Sequence, residues 1–356
     1  MATGTEILRE YERYTNRKVL FGVLSAVLLI VLFLYAVAVG SVGIPIGDVV
    51  AILLGSGGRS TQRTIVWQIR LPQALTAVVA GAGLAVSGAA MQNVLRNPLG
   101  SPFTLGISQA AAFGAASAIV FLGVGTTARG GEATIVIGNP YVVTVAAFLG
   151  SLISTAVILL LAKYQRATPE TMILAGVAMG SLFTSSLSLI QYFASDTEIA
   201  AIVSWTFGDV GRATWTPLGI MSVVTVLGAA YFVKNSWNYN ALNSGDETAQ
   251  SLGVNVERLR IGGMVVASLV TAVIISFVGI ISFVGLVVPH IVRKVIGGDE
   301  RFLMPISCLV GAVLLLASDT VARLIIAPIV LPVGILTSFV GAPLFLYLVI
   351  KGRDYW

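Results

Sequence analysis

The chain has 356 residues, 56% of them hydrophobic and only 10% charged, with a mean hydropathy of +0.94. Soluble domains carry about 25% charged residues, so a water-soluble globule is excluded and the composition describes a polytopic membrane protein. The net charge of +5 does not point to nucleic acid, because Lys and Arg are scattered between apolar runs and form no basic stripe.

The first 18 residues are polar and carry Arg9, Arg13, Arg17 and Lys18. They read as a cytoplasmic N-terminal segment (1–18). The uncharged run from Val19 to Ser41 that follows is too long for a signal-peptide core and reads as an uncleaved first span. Further spans are expected at about 71–94, 103–123, 140–162, 171–193 and 215–233, each bounded by charges or by Pro and Gly.

Between Arg260 and Arg293 lie 32 uncharged residues with basic residues at both ends. If both ends are cytoplasmic the segment must enter and return, which predicts two helices turning near Gly279. The apolar stretch from Phe302 to Ile350 is broken by Asp319, Arg323, Pro328 and Pro332, and so predicts two more helices with a turn at about 326–332. The fold class expected is therefore an all-α integral membrane protein of about ten transmembrane helices. The permease domain would cover 19–351, with a short cytoplasmic C-terminal tail at 352–356.

Ten spans put both termini on one side. Of the 21 basic residues, fifteen then fall on that side, and only Arg59, Arg63, Arg70, Arg129, Arg212 and Arg323 fall on the other. Cytoplasmic loops are enriched in Lys and Arg, so both termini are expected in the cytoplasm.

Chemistry-bearing residues are few. Cys308 stands alone in an apolar run and reads as a core residue; with His290 it supplies too few N or S ligands for a protein-built metal centre. A metal handled here would arrive in its own chelate. His290, just before Arg293 and Lys294, reads as an end-of-helix imidazole. Asp319 and Arg323 are four apart on one helical face, and read either as a structural pair near the outer helix end or as a functional one.

Gly176 and Gly180, and Gly106 and Ala110, have the spacing of close helix packing. Gly88 to Arg96 and Gly285 to Arg293 share a spacing of eight, the faint trace of a repeat. Ser244-Gly245-Asp246-Glu247 has the spacing of a capping box that would start a short loop helix, and Gly253 is placed to end it. The stretch Gly55–Thr61 lacks the Lys-Ser or Lys-Thr of a nucleotide-binding P-loop, so ATP, if used, would be bound by another chain.

Several motifs together resemble one family: the FecCD-type permease subunits of ABC importers for ferric siderophores, haem and cobalamin. They are Arg70-Leu71-Pro72 leading to Ser87-Gly88 and Gln92; Asn97-Pro98-Leu99 leading to Leu105-Gly106; and Leu174-Ala175-Gly176. Next come Asn240-Ala241-Leu242 leading to Ala249, Ser251, Leu252 and Gly253; Gly279 with Phe283–His290; and Leu331–Gly334 with Gly341-Ala342-Pro343.

The resemblance implies the type II importer permease fold, a homodimer with its pathway on the two-fold axis, two ATP-binding cassette subunits and an extracellular substrate-binding protein. It implies no cofactor on this chain, with ATP and Mg on the partner ATPase, and no enzymatic activity of its own. By the resemblance the loop at about 240–253 couples to the ATPase through Asn240, Ala241, Leu242, Ser244, Glu247, Ser251, Leu252 and Gly253. Thr168, Pro169 and Glu170 would form the cytoplasmic gate, and the helices at about 171–193 and 333–350 would line the pathway.

Arg70 and Arg323 match positions that receive an acidic binding protein. Gln73 and Val330 depart from that docking pattern, and Arg59 and Arg63 are expected to compensate. The alternative, an ion-coupled secondary transporter, calls for several intramembrane carboxylates where only Asp319 is available. A membrane-embedded enzyme calls for clustered catalytic groups, and none is present.

Overall fold

The computed structural model describes residues 4–40, 42–124, 139–164 and 168–351. Among them every regular element is a helix. In chain order these are α1 (Gly4–Ala38), α2 (Ile46–Leu53), α3 (Ser60–Thr64), a π-helical stretch Ile65–Arg70 running into α4 (Leu71–Val94), α5 (Ile107–Phe121), α6 (Pro140–Tyr164) and α7 (Pro169–Phe193). Then follow α8 (Asp196–Thr206), a 3-10 turn at Val210–Arg212, α9 (Trp215–Lys234), α10 (Ser236–Asn243), α11 (Asp246–Ser251), α12 (Val256–Val278), α13 (Val284–Ile296), α14 (Glu300–Leu324) and α15 (Val333–Lys351).

Each apolar stretch read as a span contains one of these helices. Seven helices, in α1, α3–α4, α6, α7, α9, α12 and α14, are long and apolar enough to cross a membrane. The 15-residue α5 rises about 22 Å and the 13-residue α13 about 20 Å, and each is preceded by irregular backbone. The first helix is longer than the sequence reading: the polar segment before Lys18 belongs to α1, because no Pro or Gly interrupts residues 5–18. The turn expected near Gly279 is found: Gly279 caps α12 at φ 79°, a conformation that favours glycine. The C-terminal tail lies outside the described residues.

The α3–α4 span is the core of the bundle. Its apolar window is 78% buried, against 11% for α1, which lies at the periphery. The composition of α4 explains its place. Gly81 approaches the backbone of Gly311 on α14, and Gly88 approaches that of Gly285 on α13, so closely that neither site has room for a Cβ. With little hydrophobic drive between helices in lipid, such close backbone contact is what holds them together. The two residues of the faint eight-residue repeat thus meet face to face.

Irregular backbone inside an apolar bundle needs internal hydrogen-bond partners, and the segment 95–106 has them. Asn97 Oδ1 accepts from Leu99 N at 2.8 Å, and Ser101 and Thr104 exchange side-chain and backbone bonds. From α6, Ser154 donates to Leu105 O and Ser151 to Ile107 O, both at 3.3 Å. Gly106 closes the segment at φ 71°, where a Cβ would lie 2.7 Å from Gly180 N; one at Gly176 would lie 2.8 Å from Leu105 Cα. The Leu105-Gly106 motif therefore docks onto the glycine pair of α7.

Candidate functional site: two polar ends and the face of α7

At the end of the bundle where α14 begins, α10 is fastened to the N-terminus of that helix. Asn240 Oδ1 accepts from Glu300 N at 2.8 Å, and Asn240 Nδ2 donates to Asp299 Oδ1 at 3.0 Å. Asn243 Nδ2 donates to the buried Glu300 Oε1 at 3.3 Å, and Arg293 of α13 lies 4.0 Å from the same oxygen. Asp299 also caps α14, accepts from Arg301 at 2.6 Å and pairs with the buried Lys18 at 3.4 Å. Arg301 lies over the Trp237 ring of α10 at 4.3 Å. Arg301 holds the Asp299 carboxyl well below the usual carboxylate range, outweighing the desolvation that raises it.

The eight residues read as coupling positions divide by face. Leu242 is fully buried and Ala241 half-buried, whereas Ser244, Glu247, Ser251, Leu252 and Gly253 are exposed, Leu252 by 68%. The capping box at Ser244–Glu247 does not form. Ser244 instead ends α10, its hydroxyl turned back to Asn240 O at 3.5 Å, and Gly245, at φ 114°, takes the N-cap of α11 without a side-chain bond.

Helix α11 does end at Gly253, φ 82°. Gly253 N donates to Gln250 O and Val254 N to Ala249 O, the pair of bonds that makes a Schellman stop. Asp246 bonds Arg260 at 2.8 Å and Arg96 at 3.4 Å, which roots α11 on α12 and on the end of α4. A rigid knob with an exposed apolar tip results. A capping box is present elsewhere, at Ser195 and Glu198 of α8, an element the sequence reading lacked although Ser-x-x-Glu was there to be read.

At the same end α7 begins. Thr168 is its N-cap and accepts from Thr171 N at 3.3 Å, Pro169 fills the first helical position, and Glu170 is exposed in the first turn. From there Ser181, Thr184, Ser185 and Ser188 are exposed along the helix, interleaved with exposed Leu174, Val177, Leu182 and Leu189.

At the opposite end the arginines are occupied with backbone. Arg70, buried, donates from Nη1 to Val37 O at 3.0 Å and Ala38 O at 2.8 Å, and from Nη2 to Val42 O. Arg323 donates to Ala36 O and Val39 O, each at 3.2 Å, while its Nε bonds Asp319 Oδ2 at 3.0 Å. Gln73 Nε2 donates to the other oxygen of Asp319 at 2.9 Å. Arg212 binds Trp205 O, Phe207 O and Ser204 O at the end of α8. Three cations thus cap helix C-termini, whose free carbonyls and dipole both favour positive charge.

Arg59 and Arg63 differ. Both are exposed on or beside α3, with Arg63 Nε bonded to Gly57 O at 2.8 Å. Arg129 lies outside the described residues. Arg166 and Arg353, both counted on the cytoplasmic side in the sequence, do so too.

Among the described residues there is no cluster of three or more His, Cys, Asp or Glu that could hold a metal. What the chain offers is a knob with an exposed apolar tip at one end, an exposed basic edge at the other, and a helix face of small polar residues between them.

Known proteins resemble this chain in sequence and fold. The FecCD transport family matches residues 28–351. The hemin transport system permease HmuU of Yersinia pestis is 36% identical over 295 residues, covering 81% of this chain and 84% of that protein. The cobalamin import system permease BtuC of Halobacterium salinarum is 39% identical over 318 residues, covering 88% and 82%. A solved inward-facing structure of a transporter assigned to the metal-chelate type of ABC transporter superposes with a TM-score of 0.80 at 29% identity. That match covers 93% of this chain and 98% of the other. The protein is an integral membrane permease, and the chain belongs to the FecCD transport family.

Proposed function

We propose that this chain is the transmembrane subunit of an ATP-driven importer that moves a metal chelate inward from an external binding protein. The reading includes ten crossings, with α5, α13 and α15 completed by their irregular flanks, and both termini in the cytoplasm. It includes a homodimer whose pathway is lined by α7 and α15. Two ATPase subunits, holding ATP and Mg, engage the α10–α11 knob. Thr168, Pro169 and Glu170 stand at the inner gate. ATP-driven closure of the ATPases moves α10, and the lining helices tilt between two states that ligands bias.

The observation that carries this reading is the knob itself. Leu252 is exposed at its tip, while Asn240 and Asn243 fasten its base to α14 and Asp246 fastens α11 to Arg260. An apolar tip on a rigid base transmits displacement, whereas a solvated loop would absorb it.

The external binding protein docks, on this reading, on Arg59 and Arg63, with Arg70 and Arg323 holding the frame behind them. Ion coupling has no observation in its favour, since both oxygens of Asp319 are engaged by Arg323 and Gln73.

The deciding experiment is uptake into vesicles carrying the complete importer with the membrane potential collapsed. Uptake sustained by ATP alone is expected; uptake that stops with the potential overturns the reading.

A further inference from the structure

One face of α7 carries a groove of about 530 Å³, bounded on its other side by Phe103, Thr104 and Gln109. Its polar lining is Thr104, Gln109, Ser181, Thr184 and Ser185, with Phe103 and Val177 between them, and no Asp, Glu, Lys or Arg takes part. The groove exists because Gly176 and Gly180 let Leu105 and Gly106 pack against the helix backbone.

The hydrogen-bonding state of these groups sets what they can bind. Gln109 Oε1 is buried without a hydrogen-bond partner. Thr184 Oγ1 donates to Gly180 O at 2.8 Å, which leaves its lone pairs to accept. Ser181 and Ser185 are exposed. The groove therefore presents neutral acceptors and rotatable hydroxyls.

A cargo with carboxylates or a net charge would shed water here against no counter-charge, which is strongly unfavourable. A cargo whose metal charge is cancelled within its own molecule, and whose rim carries amides or hydroxyls, exchanges water for these partners at little cost. The contacts are also weak enough to release it, as conduction requires.

We infer that the Gln109–Ser181–Ser185 groove is a transit subsite selecting net-neutral, amide-bearing chelates over carboxylate-bearing ones. This rests on the importer reading, in which α7 lines the pathway. A ferric tris-hydroxamate qualifies, three hydroxamate anions cancelling the ferric charge; cyanocobalamin, amide-rimmed, is also net neutral, its Co(III) charge balanced by the corrin, the cyanide and the phosphodiester of its own nucleotide loop. Haemin, with free propionates, and ferric citrate do not.

Two measurements test it. In the first, Ser181→Cys is placed in the full-length permease in lipid nanodiscs, where Cys308 is the one other thiol, and its alkylation rate is followed with each chelate at millimolar concentration. Cyanocobalamin or a neutral ferric tris-hydroxamate should slow alkylation about fivefold, and ferric citrate should leave it unchanged. Equal protection by ferric citrate, or no protection by either neutral probe, overturns the proposal.

In the second, the complete importer carrying Gln109→Leu with Ser181→Ala should take up its chelate about threefold to tenfold more slowly, the loss expected for one or two hydrogen bonds. Restoring the hydroxyl as Ser181→Thr should recover part of the rate. Uptake that is ATP-driven yet indifferent to these changes sinks the groove and leaves the importer standing. Absence of any ATP-driven uptake in the unaltered importer sinks the importer reading itself.

Discussion

Arg70 and Arg323 grip the same helix end, Arg70 bonding the carbonyls of Val37 and Ala38 while Arg323 bonds those of Ala36 and Val39. Because α1 is otherwise the least enclosed long helix, this double clamp is what ties its outer end to α4 and α14. Arg323 is also the partner of the buried Asp319. Replacing it by Gln leaves a carboxylate without its cation, and breaking a buried pair in this way costs about 3–5 kcal/mol. Arg323→Gln should lower the thermal unfolding midpoint in detergent markedly. The double change Asp319→Asn with Arg323→Gln should recover part of the loss, since no uncompensated charge then remains.

The exposed arginines should behave in the opposite way. Arg59→Glu and Arg63→Glu touch no buried group, so the unfolding midpoint should stay within about 0.5 kcal/mol equivalent of the parent. Association with an acidic binding protein should weaken, chiefly in its on-rate and most strongly at low salt. Stopped-flow association at two ionic strengths reads this directly. An unchanged on-rate would remove Arg59 and Arg63 from the docking surface.

The Asp299 node gives a pH dependence with a definite sign. Its carboxyl is held well below the ordinary carboxylate range, chiefly by Arg301, so the stability it contributes is fully present above its unfolded value of about 3.9. That contribution is lost only as pH falls through the folded value. The part of α10 protection that Asp299 supplies should therefore be constant from neutral pH down to about 4. Asp299→Asn should raise exchange in α10 at pH 7, because Lys18 and Arg301 lose their anion.

Much of this organisation was legible in the sequence, and the reason is local. Gly, Pro and charge punctuate apolar runs, so α4 and α7 fall close to their read positions, and Gly279 marks the α12–α13 turn. The motifs also proved to be contact pairs, Gly88 with Gly285 and Gly106 with Gly176 and Gly180.

What escaped was competition and backbone chemistry. Ser244 could cap the helix behind it or the one ahead, and spacing alone does not say which. The arginine clamps were hidden because their partners are carbonyls, which every residue carries and no side-chain pattern announces. The face of α7 was visible as residues, but its groove required knowing that 103–109 folds back against it.

Those glycine contacts supply the last prediction. At Gly106 two penalties coincide: a φ of 71°, which costs a non-glycine residue about 1–2 kcal/mol, and a Cβ that would sit 2.7 Å from Gly180 N. The second penalty is steric and cannot be relieved by a side-chain rotation, because the opposing atom is backbone. Overpacking of this kind adds about 1–3 kcal/mol. Gly106→Ala should therefore lower the unfolding midpoint. It should also push residues 103–109 away from α7, widening the groove, which a spin-label pair on residues 103 and 181 would report as a longer distance. At Gly253 the φ of 82° is similar but nothing lies within 4 Å of the added Cβ. Gly253→Ala should cost only the conformational part, about 1–2 kcal/mol, leaving the fold intact and the α11 stop slightly frayed. Equal losses at the two glycines would mean that backbone conformation alone, and not the approach of the loop to α7, sets the requirement at Gly106.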